Sequence, residues 1–436
     1  MKALLSAYTN FPLIARIVIG MVIGCILALT VPGIEWISLL GTLFTSALKA
    51  IAPLLVFFLV VGALCSARSA GNMKTVIALY VGSTVVAGIL AVAASYAFPS
   101  ELVLTGVESA DASAAPEGLG AIITTLLTNA LANPVSSIAE ANYLGVLVWG
   151  IFIGIAMRNA QQSTKDLLQD AAKGITTVVR WVIECAPFGI LGLIYDSVAS
   201  SGMEIFTIYG HLVLVLVVVM LVVALITNPA LVALAARVNP FPLVLRCLRD
   251  SAVYAFFTRS SAANIPVNMK LCEDLGLDKD NYSVSIPLGA TINMAGAAIT
   301  ITVMTMAACT TLGIHVDPVL AVILCILSAI GACGTSGVAG GSLMLIPLAC
   351  SLFNIDPMIS AQVVGVGFVI GVIQDSCETA LNSSSDVVFT AAAELRARRK
   401  AGLSTKLPIP EAERTRGLQL DREPAKPGYD DSMLMS

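Results

Sequence analysis

Apolar residues run through this chain in long stretches that short polar segments separate. These apolar runs predict helices at 11–31, 36–66, 75–98, 119–157, 174–200 and 205–236. Each run is long enough to cross about 30 Å of hydrocarbon. The 119–157 run contains Asn133-Pro134, and proline inside a helix breaks it, so we expect a break there. The pattern predicts an all-α polytopic membrane protein.

Beyond Arg237 the apolar runs are shorter and are interrupted by small or polar residues. The 242–272 stretch is interrupted at Arg259-Ser260-Ser261, and the 318–353 stretch at the glycine-rich segment 331–341. Irregular backbone in lipid would leave its hydrogen bonds unmet, so such breaks must be buried or line a cavity. Two interrupted segments of this kind are typical of inverted-repeat transporters, and we expect their tips to meet near the membrane midplane.

Composition agrees with a membrane protein and excludes several functions. Hydrophobic residues make up 57% of the 436 residues and charged residues only 12%, half the share in soluble domains. The mean hydropathy is +0.90. The sequence shows no basic face of the kind that would predict a nucleic-acid partner. The cysteines are scattered through apolar runs, and His211 and His315 are each isolated, so we expect neither a metal site nor a bound cofactor.

The distribution of Lys and Arg predicts the orientation in the membrane. Basic residues mark the N-terminus and the 67–74 and 158–173 connections, whereas the 99–118 connection is acidic. The positive-inside rule therefore puts both termini in the cytoplasm. The polar segment 396–436 predicts a disordered cytoplasmic tail that transport does not need.

One polar stripe interrupts the last apolar segment. Asp375, Thr379, Asn382 and Asp386 follow one another at steps of four, three and four, and Glu378 lies on the same stripe. On a helix these side chains share one face. Carboxylates inside a membrane helix are costly and usually mark a functional site. The stripe therefore predicts a binding site.

The chemistry of these side chains suits an amino acid and a cation. Asp386 and the carbonyl groups of the interrupted 289–296 segment suit a desolvated sodium ion. Asp375 suits the ammonium group of an amino acid. Ser261, at the tip of a half-helix, and the amide of Asn382 suit its carboxylate. Small residues also let helices pack closely in membranes, and that remains the alternative for isolated serines and glycines.

One short motif matches the sequence of an enzyme active site. Residues 334–337 read Gly-Thr-Ser-Gly, the GxSG pattern around the nucleophile of intramembrane serine proteases. That chemistry needs a general base, usually histidine. Both histidines precede the motif, contrary to the chain order in those proteases. We therefore interpret the chain as a transporter and keep the protease as an alternative.

Three motifs in order resemble the dicarboxylate/amino acid:cation symporter family, which includes the sodium-coupled glutamate transporters. They are 258–266 (TRSSAANIP), 287–296 (PLGATINMAG) and 375–386, where Asp, Glu, Thr, Asn and Asp recur in the pattern DxxETxxNxxxD. The resemblance covers about residues 10–395. Within the family, the motifs are most similar to bacterial members that carry serine and threonine with sodium.

The resemblance implies a fold of eight transmembrane helices and two re-entrant hairpins, near 242–275 and 317–353. It also implies inverted repeats and a homotrimer in which a transport domain moves like an elevator against a scaffold. The implied parts are scaffold helices 1–2 (1–74), transport helix 3 (75–98), an extracellular loop with scaffold helices 4–5 (99–204), transport helix 6 (205–236), the transport core (237–395) and the tail (396–436).

The resemblance also implies a site. For the substrate it implies Ser260, Ser261, Asp375, Glu378, Thr379 and Asn382, with Asp375 and Thr379 at the ammonium and Asn382 and Ser261 at the carboxylate. For sodium it implies Asp386 with carbonyl groups of Gly289, Asn293 and Asn382, and a second position at Thr291 with carbonyl groups of 331–341. Sodium is a coupled co-substrate here.

Departures from the family pattern predict the substrate. Members that select acidic substrates carry Arg where this chain has Glu378, and a carboxylate there would repel aspartate and glutamate. Glu378 would instead accept a hydrogen bond from a serine or threonine hydroxyl, or pair with Arg259. Ala295 replaces an aspartate that binds a third sodium beside Ser83 and Thr84, so we expect fewer coupled ions.

These departures predict import of serine and threonine with sodium. One alternative is a proton-coupled carrier of another small neutral amino acid or of a carboxylate. The other is the protease.

Overall fold

The computed structural model of this chain is predominantly helical in the part that it describes. That part comprises residues 13–31, 33–65, 73–104, 127–128, 130–202, 205–333 and 340–411, and it contains no β-strand. The 334–337 motif and most of the expected 67–74 and 99–118 connections lie outside these ranges, as does most of the 331–341 segment.

The first three predicted helices are confirmed within a few residues. They are α1 (Leu13–Thr30), α2 (Glu35–Cys65) and α3 (Met73–Ala97). The predicted break at Asn133-Pro134 is also confirmed. The Asn133 side chain accepts hydrogen bonds from the backbone N–H groups of Val135 and Ser136, and so caps α4 (Pro134–Ala139). The helix α5 (Tyr143–Ala156) then begins after a second capping residue, Asn142.

The predicted helix 174–200 is wrong at its start. The chain becomes helical at Gln162 and forms α6 (Gln162–Glu184) and α7 (Ala186–Ser201), which meet at 51°. The first turns of α6 are polar and largely exposed, so an apolar run could not reveal them. Pro187, at the start of α7, lacks the backbone N–H that would continue the α6 ladder, which explains the bend.

The N-terminal helices pack closely because glycines face one another. A Cβ at Gly24 of α1 would lie 2.5 Å from the carbonyl oxygen of Leu191 in α7, and Gly192 of α7 contacts the backbone of Gly41 in α2. Small residues are common where membrane helices meet, because they let the two backbones approach closely. Helices α1, α2 and α7 therefore form one tightly packed group.

The first helical hairpin follows α8 (Ile205–Val222) and α9 (Asn228–Ala236), which one π-helical turn joins. Its first arm contains α10 (Phe241–Cys247) and α11 (Val253–Thr258), and its second arm is α12 (Ser261–Asp274). The turn between the arms has Arg259 in the left-handed region (φ 50°) and Ser260 extended. The predicted interruption at 259–261 is therefore confirmed as the tip of a hairpin.

The remaining described helices follow this hairpin in the chain. Helix α13 (Lys279–Ile292) runs into the predicted 289–296 interruption, and α14 (Ala295–Thr311) follows after Asn293 and Met294, so the observed break is shorter than the predicted one. The second hairpin has α15 (Pro318–Ala332) as its first arm, and its second arm contains a short turn of helix (Ser342–Leu345) and α16 (Ile346–Cys350). The last and longest of the described helices is α17 (Pro357–Lys400), with the side chain of Asp356 as its cap.

Several of the described helices have the length and composition of membrane spans. Five qualify singly, and the bent pair α6–α7 would make a sixth. The five ranges are Glu35–Gly62, Met73–Ala97, Ile205–Ala236, Asn281–Thr311 and Pro357–Lys400. The described part of the chain thus has an all-helical architecture with several apolar helices.

The C-terminal segment corrects one prediction. Helix α17 continues to Lys400, and the chain after it packs back onto the protein instead of becoming disordered at 396. Ile409 is 1% exposed, and its backbone N–H donates to the carbonyl oxygen of Leu275 at 2.9 Å. We call residues 401–411 the C-terminal strap. Residues 412–436 lie outside the described ranges.

Buried charge explains why the strap is ordered. Arg398 is 1% exposed, and its Nε donates to the carbonyl oxygen of Ser404 at 2.8 Å. Glu394, one turn earlier, accepts hydrogen bonds from the backbone N–H of Asp278 at 3.0 and 3.2 Å. The end of α17 therefore holds both the strap and the connection that precedes α13, and a pattern of charge along the sequence cannot show such pairing.

Candidate functional site

The polar stripe lies on a buried face of α17. Asp375, Glu378, Thr379, Asn382 and Asp386 are between 1% and 6% exposed. The unbroken helix puts them on one face, since they are spaced at three or four residues. Both hairpins and the α13–α14 break pack around this face, so the structure brings most of the predicted site residues together.

Asp375 is paired with Arg259 at the tip of the first hairpin. Arg259 Nε and one of its terminal nitrogens both lie 2.7 Å from Asp375 Oδ2. The backbone N–H of Gly340, in the second hairpin, donates to the same oxygen at 3.3 Å. One carboxylate therefore connects both hairpins to α17. The structure does not show the alternative in which Arg259 pairs with Glu378, because the guanidinium contacts Asp375 instead.

Glu378 lies in a separate cluster of neutral hydrogen-bond donors. Its Oε2 accepts from Thr300 Oγ1 at 2.7 Å, Ser342 Oγ at 2.8 Å and Gln374 Nε2 at 2.6 Å. The ion pairs found in the described part of the chain do not include Glu378. A carboxyl group in these surroundings has no cation with which to neutralise a second carboxylate.

Asp386 and Asn293 form a cluster of oxygen atoms that suits a cation. Asn293 Nδ2 donates to Asp386 Oδ1 at 2.9 Å. Asp386 Oδ2 and Asn293 Oδ1 are buried and have no hydrogen-bond partner. Unpaired acceptors are costly to bury, and a bound cation would satisfy both. A Cβ at position 289 would lie 2.5 Å from Asp386 Oδ1, so glycine lets this carboxylate approach the α13 backbone.

Asn382 holds the break between α13 and α14. Its Oδ1 accepts from the backbone N–H of Gly296 at 2.7 Å, and its carbonyl oxygen accepts from Asn293 Nδ2 at 3.1 Å. Its Nδ2 contacts Met294 Sδ at 3.4 Å, which is a weak acceptor. The amide N–H groups of Asn382 are therefore the part of this side chain that is free to bind a stronger acceptor.

Three of the four predicted serine and threonine residues lie at the first hairpin tip or on the stripe, and Thr291 does not. Ser260 caps α12, with its Oγ accepting from the backbone N–H of Ala263 at 3.2 Å, and Ser261 begins that helix and is buried. The Thr379 hydroxyl donates to the carbonyl oxygen of Asp375 at 2.8 Å. Thr291 lies elsewhere: it is exposed, and its hydroxyl donates to the carbonyl oxygen of Leu288.

Sequence reasoning missed several residues of the site. Glu378 is contacted by Thr300, Ser342 and Gln374. Tyr80 of α3 lies beside Asp386. The Tyr80 hydroxyl lies within 3.2 Å of the carbonyl oxygens of Ser285 and Asp386 and 3.1 Å from Thr390 Oγ1. Only Gln374 had a local signal, because it precedes Glu378 by one helical turn on the same stripe.

A second buried network fixes the first hairpin to α17. Ser251 Oγ donates to Asn268 Oδ1 at 2.5 Å, and Asn264 Nδ2 donates to Ser251 Oγ at 2.9 Å and to Ser383 Oγ at 2.7 Å. Asn268 Nδ2 reaches the carbonyl oxygen of Ser383 at 2.8 Å. All four residues are inaccessible to solvent. The second arm of the hairpin is thus hydrogen-bonded directly to α17, and Ser251 of the first arm is hydrogen-bonded to that second arm.

Comparison with known proteins agrees with this arrangement. The family model described as the sodium:dicarboxylate symporter family matches residues 13–394. A protein of Streptococcus thermophilus named serine/threonine transporter SstT is 56% identical over 396 residues, which are 90% of this chain and 98% of that protein. A protein of the same name from Bifidobacterium adolescentis is 53% identical over 404 residues, 92% of this chain and 94% of that protein.

These matches extend across both hairpins and the whole polar stripe of α17. The chain belongs to the sodium:dicarboxylate symporter family.

Proposed function

We propose that this protein imports serine and threonine by symport with sodium. Membership of a symporter family makes it a transporter and not an enzyme. The relatives that it matches are named serine/threonine transporters. The observation that carries the choice of substrate is the position of Glu378, which is buried three residues after Asp375 among neutral donors. Neither alternative function is favoured by the family or by these relatives.

The proposed substrate site uses the groups around Asp375. Asp375 and Thr379 receive the substrate ammonium, while Asn382 Nδ2 and the start of α12, at Ser260 and Ser261, receive its carboxylate. The Arg259 guanidinium already contacts Asp375 at 2.7 Å. A substrate ammonium therefore shares or displaces an existing ion pair. Breaking a buried pair is costly unless a new cation replaces the old one, which favours a zwitterion over an uncharged ligand.

The proposed sodium site uses Asp386, Asn293 and the backbone of Gly289 and Asn382. Its support is the pair of buried acceptor oxygens, Asp386 Oδ2 and Asn293 Oδ1, that lack a hydrogen-bond partner. Sodium is carried as a co-substrate and supplies the positive charge that Asp386 lacks. A second sodium position at Thr291 remains part of the proposal, with its other ligands expected in the 331–341 segment. Ala295 offers no carboxylate for a third ion.

The proposed transport cycle is alternating access by an elevator motion. The two hairpins would be re-entrant within a fold of eight spans, and α3, α8–α9, the hairpins, α13–α14 and α17 would form the moving domain. Helices α1, α2 and α4–α7 would form the scaffold of a homotrimer in the bacterial inner membrane, with both termini in the cytoplasm. The close glycine packing among α1, α2 and α7 supports a rigid scaffold.

The test is uptake of labelled serine into proteoliposomes with an imposed sodium gradient. We expect uptake that requires inward sodium, that unlabelled threonine inhibits and that excess aspartate does not. Uptake that follows a proton gradient without sodium would favour the proton-coupled carrier. Cleavage of a peptide that Ser336→Ala abolishes would favour the protease.

A further inference from the structure

Three neutral side chains from three different elements converge on one oxygen atom of Glu378. Thr300 comes from α14, Ser342 from the second hairpin and Gln374 from α17. Gln374 Nε2 also donates to Thr300 Oγ1 at 2.7 Å, so two of the donors are bonded to each other. Thr300 and Gln374 are inaccessible to solvent, and Ser342 is 2% exposed.

This convergence fixes the orientation of the Glu378 carboxyl group. A single hydrogen bond would leave the group free to rotate, whereas three donors on Oε2 hold it in one direction. Within the described residues, the hydrogen bonds to Glu378 all end on Oε2, and Oε1 accepts none of them. Oε1 is therefore an acceptor whose position is set by its neighbours and that has capacity for one more donor.

The position of Oε1 suits a substrate that also reaches Asp375. Side chains three residues apart on a helix have Cβ atoms about 5–6 Å apart. One amino acid with a three-carbon skeleton can therefore place its ammonium at Asp375 and a β-hydroxyl at Glu378. An amino acid without that hydroxyl would leave Oε1 unmatched.

We propose that Thr300, Gln374 and Ser342 are positioning residues that hold Glu378 so that Oε1 accepts the hydrogen bond of the substrate hydroxyl. This inference rests on the proposed function and adds the residues that make the site selective for hydroxyl amino acids. Ser342 belongs to the second hairpin, so the orientation of Glu378 also depends on how that hairpin packs. Recognition of the hydroxyl and placement of the hairpin are thereby coupled.

The experiment compares serine with alanine, which differs only in the hydroxyl. Sodium-driven uptake of labelled serine is measured in proteoliposomes, and the inhibition constants of unlabelled serine and alanine are determined. We expect the purified wild-type protein to prefer serine. A hydrogen bond to a charged group contributes enough that Thr300→Val or Gln374→Leu should reduce the serine-to-alanine preference by roughly 3- to 10-fold. Thr300→Ser keeps the hydroxyl and should restore it.

Thr302→Val is the matched control. Thr302 lies on α14 two residues from Thr300 and is equally buried, but its hydroxyl has no hydrogen-bond partner. It should leave the serine-to-alanine preference unchanged. Ser342→Ala gives an independent measurement from the hairpin if either other variant fails to fold, and we expect it to reduce the preference as well.

The inference is overturned if the variants weaken serine and alanine equally, since a purely structural role has that effect. A wild-type protein that does not distinguish serine from alanine would overturn it too. Failure of wild-type serine uptake to depend on sodium would instead contradict the proposed function, and that result is known before any variant is made.

Discussion

At the scale of single residues, the two carboxylates Asp375 and Glu378 differ because their neighbours differ. Asp375 faces a guanidinium, whereas Glu378 faces two hydroxyls and an amide. The first arrangement can exchange one cation for another. The cluster around Glu378 can only form hydrogen bonds. It contains no cation that would neutralise a second carboxylate on a substrate.

Replacing Glu378 with arginine tests this difference. Glu378→Arg should raise the KM for serine by at least about tenfold, because it replaces a hydrogen-bond acceptor with a cation among groups that now donate to it. It should also allow aspartate to compete, because Arg binds carboxylates with two hydrogen bonds. The measurement is inhibition of serine uptake by aspartate. If aspartate competes no better than with the wild type, Glu378 does not exclude acidic substrates.

The proposed sodium ligand Asp386 gives a second test. Asp386→Asn removes the negative charge but keeps the size of the side chain, so the sodium concentration for half-maximal uptake should rise by roughly tenfold or more. Asp170→Asn is a control, because Asp170 is a surface residue paired with Lys173. An unaltered sodium dependence of Asp386→Asn would remove Asp386 from the sodium site.

At the scale of elements, the C-terminal strap joins parts of the chain that are far apart in sequence. Ile409 belongs to the same buried cluster as Leu243, Leu271 and Leu275 of the first hairpin region and Phe389 of α17. Gly276 has φ +73° and lies against the carbonyl oxygen of Ile409, so the backbone there needs glycine for both reasons. The strap therefore stabilises the base of the first hairpin.

Shortening the buried side chain of the strap tests its contribution. Ile409→Ala should lower the free energy of unfolding by roughly 2–4 kcal/mol, because it leaves a cavity in that cluster. Thermal unfolding of the detergent-purified protein measures the effect as a lower Tm. Lys406→Ala, at an exposed position of the same strap, should leave the Tm unchanged. Equal Tm values for both variants would show that the strap contributes no stability.

At the scale of the whole molecule, α17 contacts the proposed scaffold at a few points of close approach. A Cβ at Gly365 of α17 would lie 2.7 Å from the Leu193 side chain of α7. The rings of Phe44 in α2 and Phe368 in α17 meet edge to face with centroids 5.6 Å apart. An elevator motion requires these contacts to slide, because they join the two proposed domains.

A reversible cross-link at this contact tests the motion. The ten native cysteines are first replaced, and Leu193→Cys and Gly365→Cys are combined in that background. Oxidation or a short bifunctional thiol reagent should abolish serine uptake, and a reductant should restore uptake after a disulfide forms. Leu193→Cys alone should be insensitive to oxidation. Full uptake by the cross-linked protein would contradict an elevator motion between these helices.

Much of the fold follows from local patterns in the sequence. The apolar runs predicted α1–α3, and Asn133-Pro134 predicted the start of α4, because hydrophobic length and proline chemistry act within a few residues. The start of α6 and the order of the strap were predicted wrongly. Both depend on what a polar segment packs against, and Ile409 is buried only because Leu275 lies 134 positions earlier in the chain and beside it in space.

The sequence by itself determined that this is a membrane transporter with a carboxylate-rich face on its last helix, since 3.6-residue periodicity and hydropathy are local properties. It also predicted which residues lie on that face. Only the tertiary structure decided their partners: Arg259 with Asp375, the Thr300–Ser342–Gln374 cluster with Glu378, and Asn293 with Asp386. Apart from Gln374, these partners come from elements distant in sequence, and hydrogen bonds of about 3 Å can join them only once the chain has folded.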